Sequence, residues 1–158
     1  MRIGGFTALL NNCTLCLIKP HAVIQGQAGQ IIDKVLDEGF EISALTSCYL
    51  ERRQAEDFLD LYRGVIPDFN NTVDQLVSGL CIALEVRQEN VVDSFKRICG
   101  SLDPQIGKSR KGETDTIRAM YGIDKHKNAV HCTDLPEDAQ LECEFFFVLL
   151  PEESRVKH

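Results

Sequence analysis

Apolar positions along the chain follow two periodicities that switch at glycines and prolines. Leu15, Cys16, Leu17 and Ile18 form a short continuous apolar run stopped by Pro20, the pattern of a buried strand. Ala28, Ile31, Ile32, Val35 and Leu36 recur at helical spacing, and Gly39 stands where a left-handed cap ends a helix. Phe40, Ile42 and Ala44 alternate with Glu41 and Ser43, which predicts a half-buried strand running to about Leu50. Two shorter helical patterns follow, Ala55 to Tyr62 and Phe69 to Val77; Gly64 and Pro67 separate them, so they read as a helical hairpin. Cys81 to Val86 is a third strand-like run, and Val91, Val92, Phe95, Ile98 and Cys99 return to helical spacing before Gly100. Residues 101–116 are polar, with Pro104, Gly107 and Gly112; they predict a long irregular loop of the kind that serves a site. Ala129, Val130 and His131 make a brief strand, and Pro136-Glu137-Asp138 opens a last helix through Leu141, Phe145 and Val148. The order is β-α-β-αα-β-α-loop-β-α, with no internal repeat. Residues 1–12 have no periodicity and read as a lead-in segment, 13–150 as one domain and 151–158 as a short tail.

Composition narrows the classes. At 158 residues, 44% hydrophobic and 26% charged, the chain can build one core without disulfide or metal staples. Its longest uncharged apolar stretch, Phe145 to Leu150, falls far short of the roughly 20 residues of a membrane span, so no membrane partner is expected. A net charge of −7 with no block of Lys or Arg argues against nucleic acid as a partner. Any polyanion must meet a local basic site. Seven cysteines, an odd number scattered through apolar runs, read as reduced, mostly buried thiols of an intracellular, cytoplasmic protein. Cys13-Thr-Leu-Cys16 fits C-x-x-C but lies inside a strand-like run, where a redox pair would normally open a helix. A thiol-redox domain would show reversible dithiol oxidation and no nucleotide affinity.

Gly107-Lys108-Ser109 resembles the end of a phosphate-binding loop. That motif requires glycine at 102, where the chain has Leu102, and it must follow a strand. It is not a P-loop. Lys19 ends the first strand and His131 the last, both where apolar sequence turns polar. Arg118, Asn128, Thr133, Asp134 and Glu142 surround His131 in the sequence, so a single cleft lined by distant segments is expected.

Ile18-Lys19-Pro20, Gly26-x-x-Gly29-x-Ile31-Ile32, Gly39-Phe40, Ser78-Gly79, Thr116-Ile117-Arg118 and Asn128-Ala129-Val130-His131 together resemble the nucleoside diphosphate kinase family. The match runs in order from Cys13 to Phe147, and Asn128 to Asp138 resembles its tandem-domain, flagellum-associated members. The resemblance implies an α+β, ferredoxin-like fold: a four-stranded antiparallel sheet covered by helices. It also implies ping-pong transfer of the γ-phosphate of a nucleoside triphosphate to a nucleoside diphosphate through phosphohistidine at His131. An imidazole suits that task, because its neutral form offers a ring-nitrogen lone pair. By the same resemblance Glu142 orients the ring, Lys19 serves catalysis and with Asn128 holds the ribose hydroxyls, and Phe69 stacks on the base. Arg118 and Lys96, with Arg97 beside it, meet the phosphates. Stacking and sugar contacts read no base edge, so broad base tolerance follows. Mg²⁺ is expected on the nucleotide's phosphates and not in a protein cage.

Three departures from the family pattern bear on rate and assembly. Leu59 replaces a tyrosine near the γ-phosphate unless Tyr62 takes its place; Leu102 replaces a threonine that touches phosphate; and the segment 104–116 is longer than usual. The expected assembly is a homo-oligomer, with the dimer favoured over the hexamer. The alternative function is a weakly active or inactive nucleotide-binding module in a cytoskeletal or flagellar assembly.

Overall fold

The computed structural model describes residues 12–156; the expected lead-in lies almost wholly outside them. Its centre is an antiparallel sheet of β1 (Cys13–Ile18), β2 (Glu41–Tyr49), β3 (Leu80–Arg87) and β4 (Val130–Cys132) in the order β2-β3-β1-β4. Every residue of β1 is buried, as a central strand covered on both faces requires. Side chains alternate across it. Cys13, Leu15 and Leu17 enter one core with Cys81, Ala83, Phe58, Leu76 and Phe146, whereas Cys16 and Ile18 enter the other with Leu84, Val86, Ile31, Val35 and Phe95. Cys13 and Cys16 therefore sit in opposite cores, which removes the C-x-x-C reading. Each fully buried Leu, Ile or Phe contributes about 1.5 to 3 kcal/mol, so the two cores supply most of the drive to fold.

The helices lie where the 3.6 periodicity puts them. They are α1 (Pro20–Ile24), α2 (Ala28–Asp37), α3 (Arg52–Leu59), α4 (Phe69–Leu76) and α5 (Val91–Cys99). A reciprocal capping box between Glu51 and Gln54 starts α3, and the Asp68 carboxylate accepts from Asn71 N–H to start α4. A 3₁₀ turn, Asp60–Tyr62, ends the first arm of the expected hairpin and carries Tyr62 into the protein.

Two expectations need correction. The segment 101–116 is not wholly irregular: it contains α6 (Pro104–Ser109), started by Asp103, which accepts from Gln105 N–H, with Pro104 at the first helical position. Gly107, Lys108 and Ser109 end that helix. The last helix keeps α-geometry only over α8 (Ala139–Glu144) and widens to a π turn over Phe145–Leu149, closed by Leu150 N–H donating to Phe145 O at 2.8 Å. The change of pitch turns Phe146 into the core and leaves Val148 half-exposed. Past it, Val156 N–H donates to Ser47 O at 3.1 Å, so this part of the expected tail packs on the edge of β2.

Candidate active site

β1 ends at Lys19, β4 carries His131, and α7 (Ile117–Tyr121) carries Arg118. Antiparallel pairing sets Leu17 opposite His131, so Lys19 and His131 emerge at the same end of the sheet. Lys19 is the residue before α1, and Pro20 begins that helix with its fixed φ. A cleft of about 490 Å³ opens there, with Lys19, Lys96, Arg118, Asn128, His131 and Cys132 among its walls. Leu59, Val65, Ile66, Pro67, Leu102 and Ile106 supply an apolar side.

His131 Nε2 lies 2.5 Å from Glu142 Oε1, and the other carboxylate oxygen accepts from Tyr62 Oη at 3.0 Å. Asp134 N–H donates to Tyr62 Oη at 3.3 Å. Burial, followed by the nearby Glu142 charge, pushes the Tyr62 phenol up, which keeps it a donor. The rings of Phe58 and Tyr62 pack edge-on against the imidazole, at 5.1 and 5.2 Å between centroids. The imidazole is thus fixed in rotation and polarised from behind. With the proton on Nε2 for Glu142, Nδ1 keeps its lone pair.

Two buried cations share this end of the sheet. Arg118 donates from Nε and Nη2 to Val130 O and from Nη1 to Gly100 O, with Nη2 also 3.7 Å from Cys132 Sγ. Gly100 is required there: at φ +83 a Cβ would stand 2.3 Å from Thr116 Oγ1. Lys19 Nζ donates to His126 O at 3.2 Å. Burial, and then repulsion from Arg118, brings the Lys19 ammonium down to about 7. Neither cation has a carboxylate partner among the described residues, so the pair makes a strong local demand for an anion. Asn128 Nδ2 donates to Leu102 O and Lys125 O, while its buried Oδ1 has no partner and is open to a hydroxyl donor.

The structure therefore brings Lys19, Lys96, Arg118, Asn128 and His131 to one cleft, with Glu142 behind the histidine. Phe69 and Arg97 are not on its wall. Phe69 packs against the first core beneath the Arg63 guanidinium, 4.1 Å from its ring centre. Arg97 follows Lys96 by one residue, about 100° around α5, and is exposed. Lys96 is tied to Asp134 at 2.7 Å. Sequence reasoning missed His21, whose Nε2 accepts from Ala129 N–H at 2.9 Å across 108 positions; only its place beside Lys19-Pro20 could have pointed to it. The Cys132 thiol was also missed.

Among the described residues, one group of His, Cys, Asp or Glu is compact enough to ligate a metal directly. It consists of Cys13, Glu85 and Cys143, whose ligand atoms lie within 4.8 Å of one another, away from the cleft wall. No helix among the described residues is long and apolar enough to cross a membrane.

The family model for nucleoside diphosphate kinase matches residues 12–150. Nucleoside diphosphate kinase homolog 7 of Rattus norvegicus is 44% identical over 144 residues, which is 91% of this chain and 36% of that protein. The chain thus spans about a third of the length of that relative. Nucleoside diphosphate kinase of Aquifex aeolicus is 36% identical over 134 residues, covering 85% of this chain and 92% of its own length. A crystal structure of the Aquifex aeolicus enzyme superposes with a TM-score of 0.80 at 32% identity, over 92% of this chain and 99% of that one.

Proposed function

Because this chain belongs to the nucleoside diphosphate kinase family, we propose that it passes the γ-phosphoryl group of a nucleoside triphosphate to His131 and from there to a nucleoside diphosphate. The observation that carries the reading is the His131–Glu142 pair, held by Tyr62 and facing a cleft whose buried charges are the cations Lys19 and Arg118. Nδ1 of His131 is the attacking atom. As its bond to phosphorus forms, positive charge grows on the ring, and the Glu142 carboxylate at Nε2 stabilises it. Lys19 and Arg118 neutralise charge on the phosphoryl oxygens, and their fixed positions remove reorganisation from the step. Asn128 Oδ1 accepts from a ribose hydroxyl. Val65, Ile66 and Pro67 offer the base an apolar face with no base-edge readout, which fits broad base tolerance.

Mg²⁺ is the metal this reading takes. The compact thiol–carboxylate group lies off the cleft, so the ion would be held by the nucleotide's phosphates and would neutralise part of their charge. The same reading makes 13–150 the kinase domain of a homo-oligomer, with the dimer favoured over the hexamer, working in the cytoplasm.

The second reading, a nucleotide-binding module of low turnover in a cytoskeletal or flagellar assembly, is favoured by two observations. Lys96 is committed to Asp134, and Leu102 presents an apolar side chain, 64% exposed, at the cleft. Two phosphate contacts are then weaker than the family pattern supplies. Incubation with γ-labelled Mg-ATP separates the readings. Turnover on His131 gives label that acid removes and base preserves, and that His131→Ala cannot acquire. Stoichiometric nucleotide binding with no such label supports the second reading and overturns the first.

A further inference from the structure

All seven cysteines are buried, yet Cys132 alone among them lines the cleft. Its surroundings are those of a reactive thiol. Arg118 Nη2 lies 3.7 Å from its Sγ, and that guanidinium has no carboxylate to neutralise it. The Cys99 thiol, at the last residue of α5, belongs to the same core and interacts with that sulfur, so Cys132 has a second thiol as well as a cation beside it. The cation favours the thiolate, the nucleophilic form. Interaction with the Cys99 thiol, and then the Arg118 charge, hold Cys132 below the usual thiol range, and burial drives Cys99 well above it. Cys16 and Cys81 are also pushed up by burial. Cys132 thus stands on the cleft wall between a guanidinium and a second thiol.

We propose that Cys132 is a modification site, a nucleophilic thiol that a hydroperoxide entering the cleft oxidises and that Cys99 then captures as a disulfide. The Cys132 sulfur attacks the outer oxygen of the peroxide. An S–O bond forms with two electrons from sulfur, the O–O bond breaks, and the departing alkoxide or hydroxide takes up a proton as alcohol or water. Cys99 sulfur then attacks Cys132 sulfur; the S–S bond forms, and the sulfenic hydroxyl leaves as water with the Cys99 proton. In sum, two thiols and one hydroperoxide give one disulfide, one alcohol or water, and one water. The consequence reaches both sides of Arg118. Cys132 follows His131, and Cys99 precedes Gly100, whose carbonyl accepts from Arg118 Nη1. The bridge would draw α5 and β4 together around the guanidinium and take away the thiol it contacts. Loss of phosphohistidine formation, restored by dithiothreitol, is expected.

The nucleotide arm of the test rests on the kinase reading; the thiol arm does not. The reduced native chain is exposed briefly to hydrogen peroxide, trapped with dimedone and iodoacetamide, and mapped by peptide mass spectrometry, with and without Mg-ADP. Thermal shift in the same samples reports whether Mg-ADP is bound. The expected first product is a linked peptide joining Cys99 and Cys132. Mg-ADP at about ten times its Kd should slow its appearance about tenfold, because only the empty cleft admits peroxide. In Cys99→Ser the reaction should stop at a dimedone adduct on Cys132. Earlier oxidation of any other cysteine, a different linkage, or an unchanged rate with Mg-ADP demonstrably bound would each overturn the proposal. If Mg-ADP gives no thermal shift, the kinase reading fails, and the peptide map still decides the fate of Cys132.

Discussion

Lys19 and Leu102 show how much one side chain can set. An ordinary lysine keeps its proton to about pH 10, but burial and Arg118 bring Lys19 to about 7. The unfolded chain therefore binds this proton across the window from about 7 to 10 while the folded chain has released it. The contribution of Lys19 to stability rises with pH through that window, and the full cost of burying its charge is present below it. A polyphosphate supplies the missing counter-charge and returns the pKa upward. Nucleotide binding at pH 8 should then take up close to one proton at Lys19, measured by calorimetry in buffers of different ionisation enthalpy. Identical heats in all buffers would count against a buried, depressed Lys19. Leu102 is a separate test. Its carbonyl holds Asn128, so the backbone is already in place and only the side chain lacks a donor. A hydrogen bond to a charged group is worth about 1.5 to 3 kcal/mol, so Leu102→Thr should speed single-turnover phosphorylation by roughly 10- to 150-fold. Because Ser101 also lines the cleft and can substitute in part, the lower end is expected. An unchanged or slower rate would mean that no phosphate oxygen comes within reach of position 102.

At the scale of elements, β4 is only three residues long and cannot hold His131 by pairing alone. What aims it is the turn before it. Val130 N–H donates to Asn128 O at 3.0 Å around Ala129, which has φ +76, so the chain makes a γ-turn of the rare, strained hand. Lys19 N–H donates to Ala129 O, and Ala129 N–H to His21 Nε2, both at 2.9 Å. These bonds pin the turn to the start of α1. In His21→Ala the buried Ala129 N–H loses its acceptor, a cost of about 1 to 3 kcal/mol, so the melting temperature should fall by about 2 to 4 °C per kcal/mol and His131 should be phosphorylated more slowly. Burial, with the Lys19 and Lys127 charges, lowers His21 to about 4. The unfolded chain takes up this proton near 6.5 and the folded chain only near 4, so the contribution of His21 is fully present above about pH 6.5 and is lost as pH falls toward 4. Urea unfolding at pH 7 and pH 5 should show a shallower loss in His21→Ala than in the native chain; parallel profiles would sink the assignment. None of this turn was legible in the sequence, because its partners are about a hundred residues apart. By contrast β1, α2 and α5 were legible, since each buries apolar residues at its own period: Leu15 and Leu17 against Cys16 and Ile18, Ile31 with Val35, Val91 and Val92 with Phe95. The helix α6 was hidden by its polar composition, although Asp103-Pro104 is a cap followed by proline. The cleft's charged residues could be read from motif positions at strand and helix ends. The outward placement of Arg97 and the inward turn of Phe69 depend on packing that no local pattern carries.

For the whole molecule, the open question that the surface poses is assembly. The order β2-β3-β1-β4 leaves β2 at an edge, and among the described residues its outer side is met only at Ser47 and Cys48, by Val156 and Arg155. Leu45 and Tyr49 on this strand are 55% and 58% exposed. An open edge with exposed apolar side chains is a template for another strand, and it carries none of the lysines or prolines that usually protect such an edge. Leu45 is the middle residue of β2. Antiparallel pairing of two copies about a two-fold axis through that point, with Arg155 and Val156 displaced from Cys48 and Ser47, would set Leu45 against its own copy and close the assembly at two. The segment 104–116 is engaged within this chain: Lys108 Nζ donates to Gly122 O, and a Cβ on Gly107 would stand 3.1 Å from Ala119 Cβ, so α6 is packed on α7. A dimer is therefore the expected species at micromolar concentration. Leu45→Lys puts a charge at the symmetry axis, where two copies would face each other in an apolar contact, and it should give monomer without changing the fold. Light scattering with circular dichroism on both proteins is the measurement. Native melting temperature should also rise with concentration, because association stabilises only the folded chain, and that dependence should vanish in the variant. A hexamer mass, a native monomer, or a Leu45→Lys protein that remains a dimer would each place the contact elsewhere than the edge of β2.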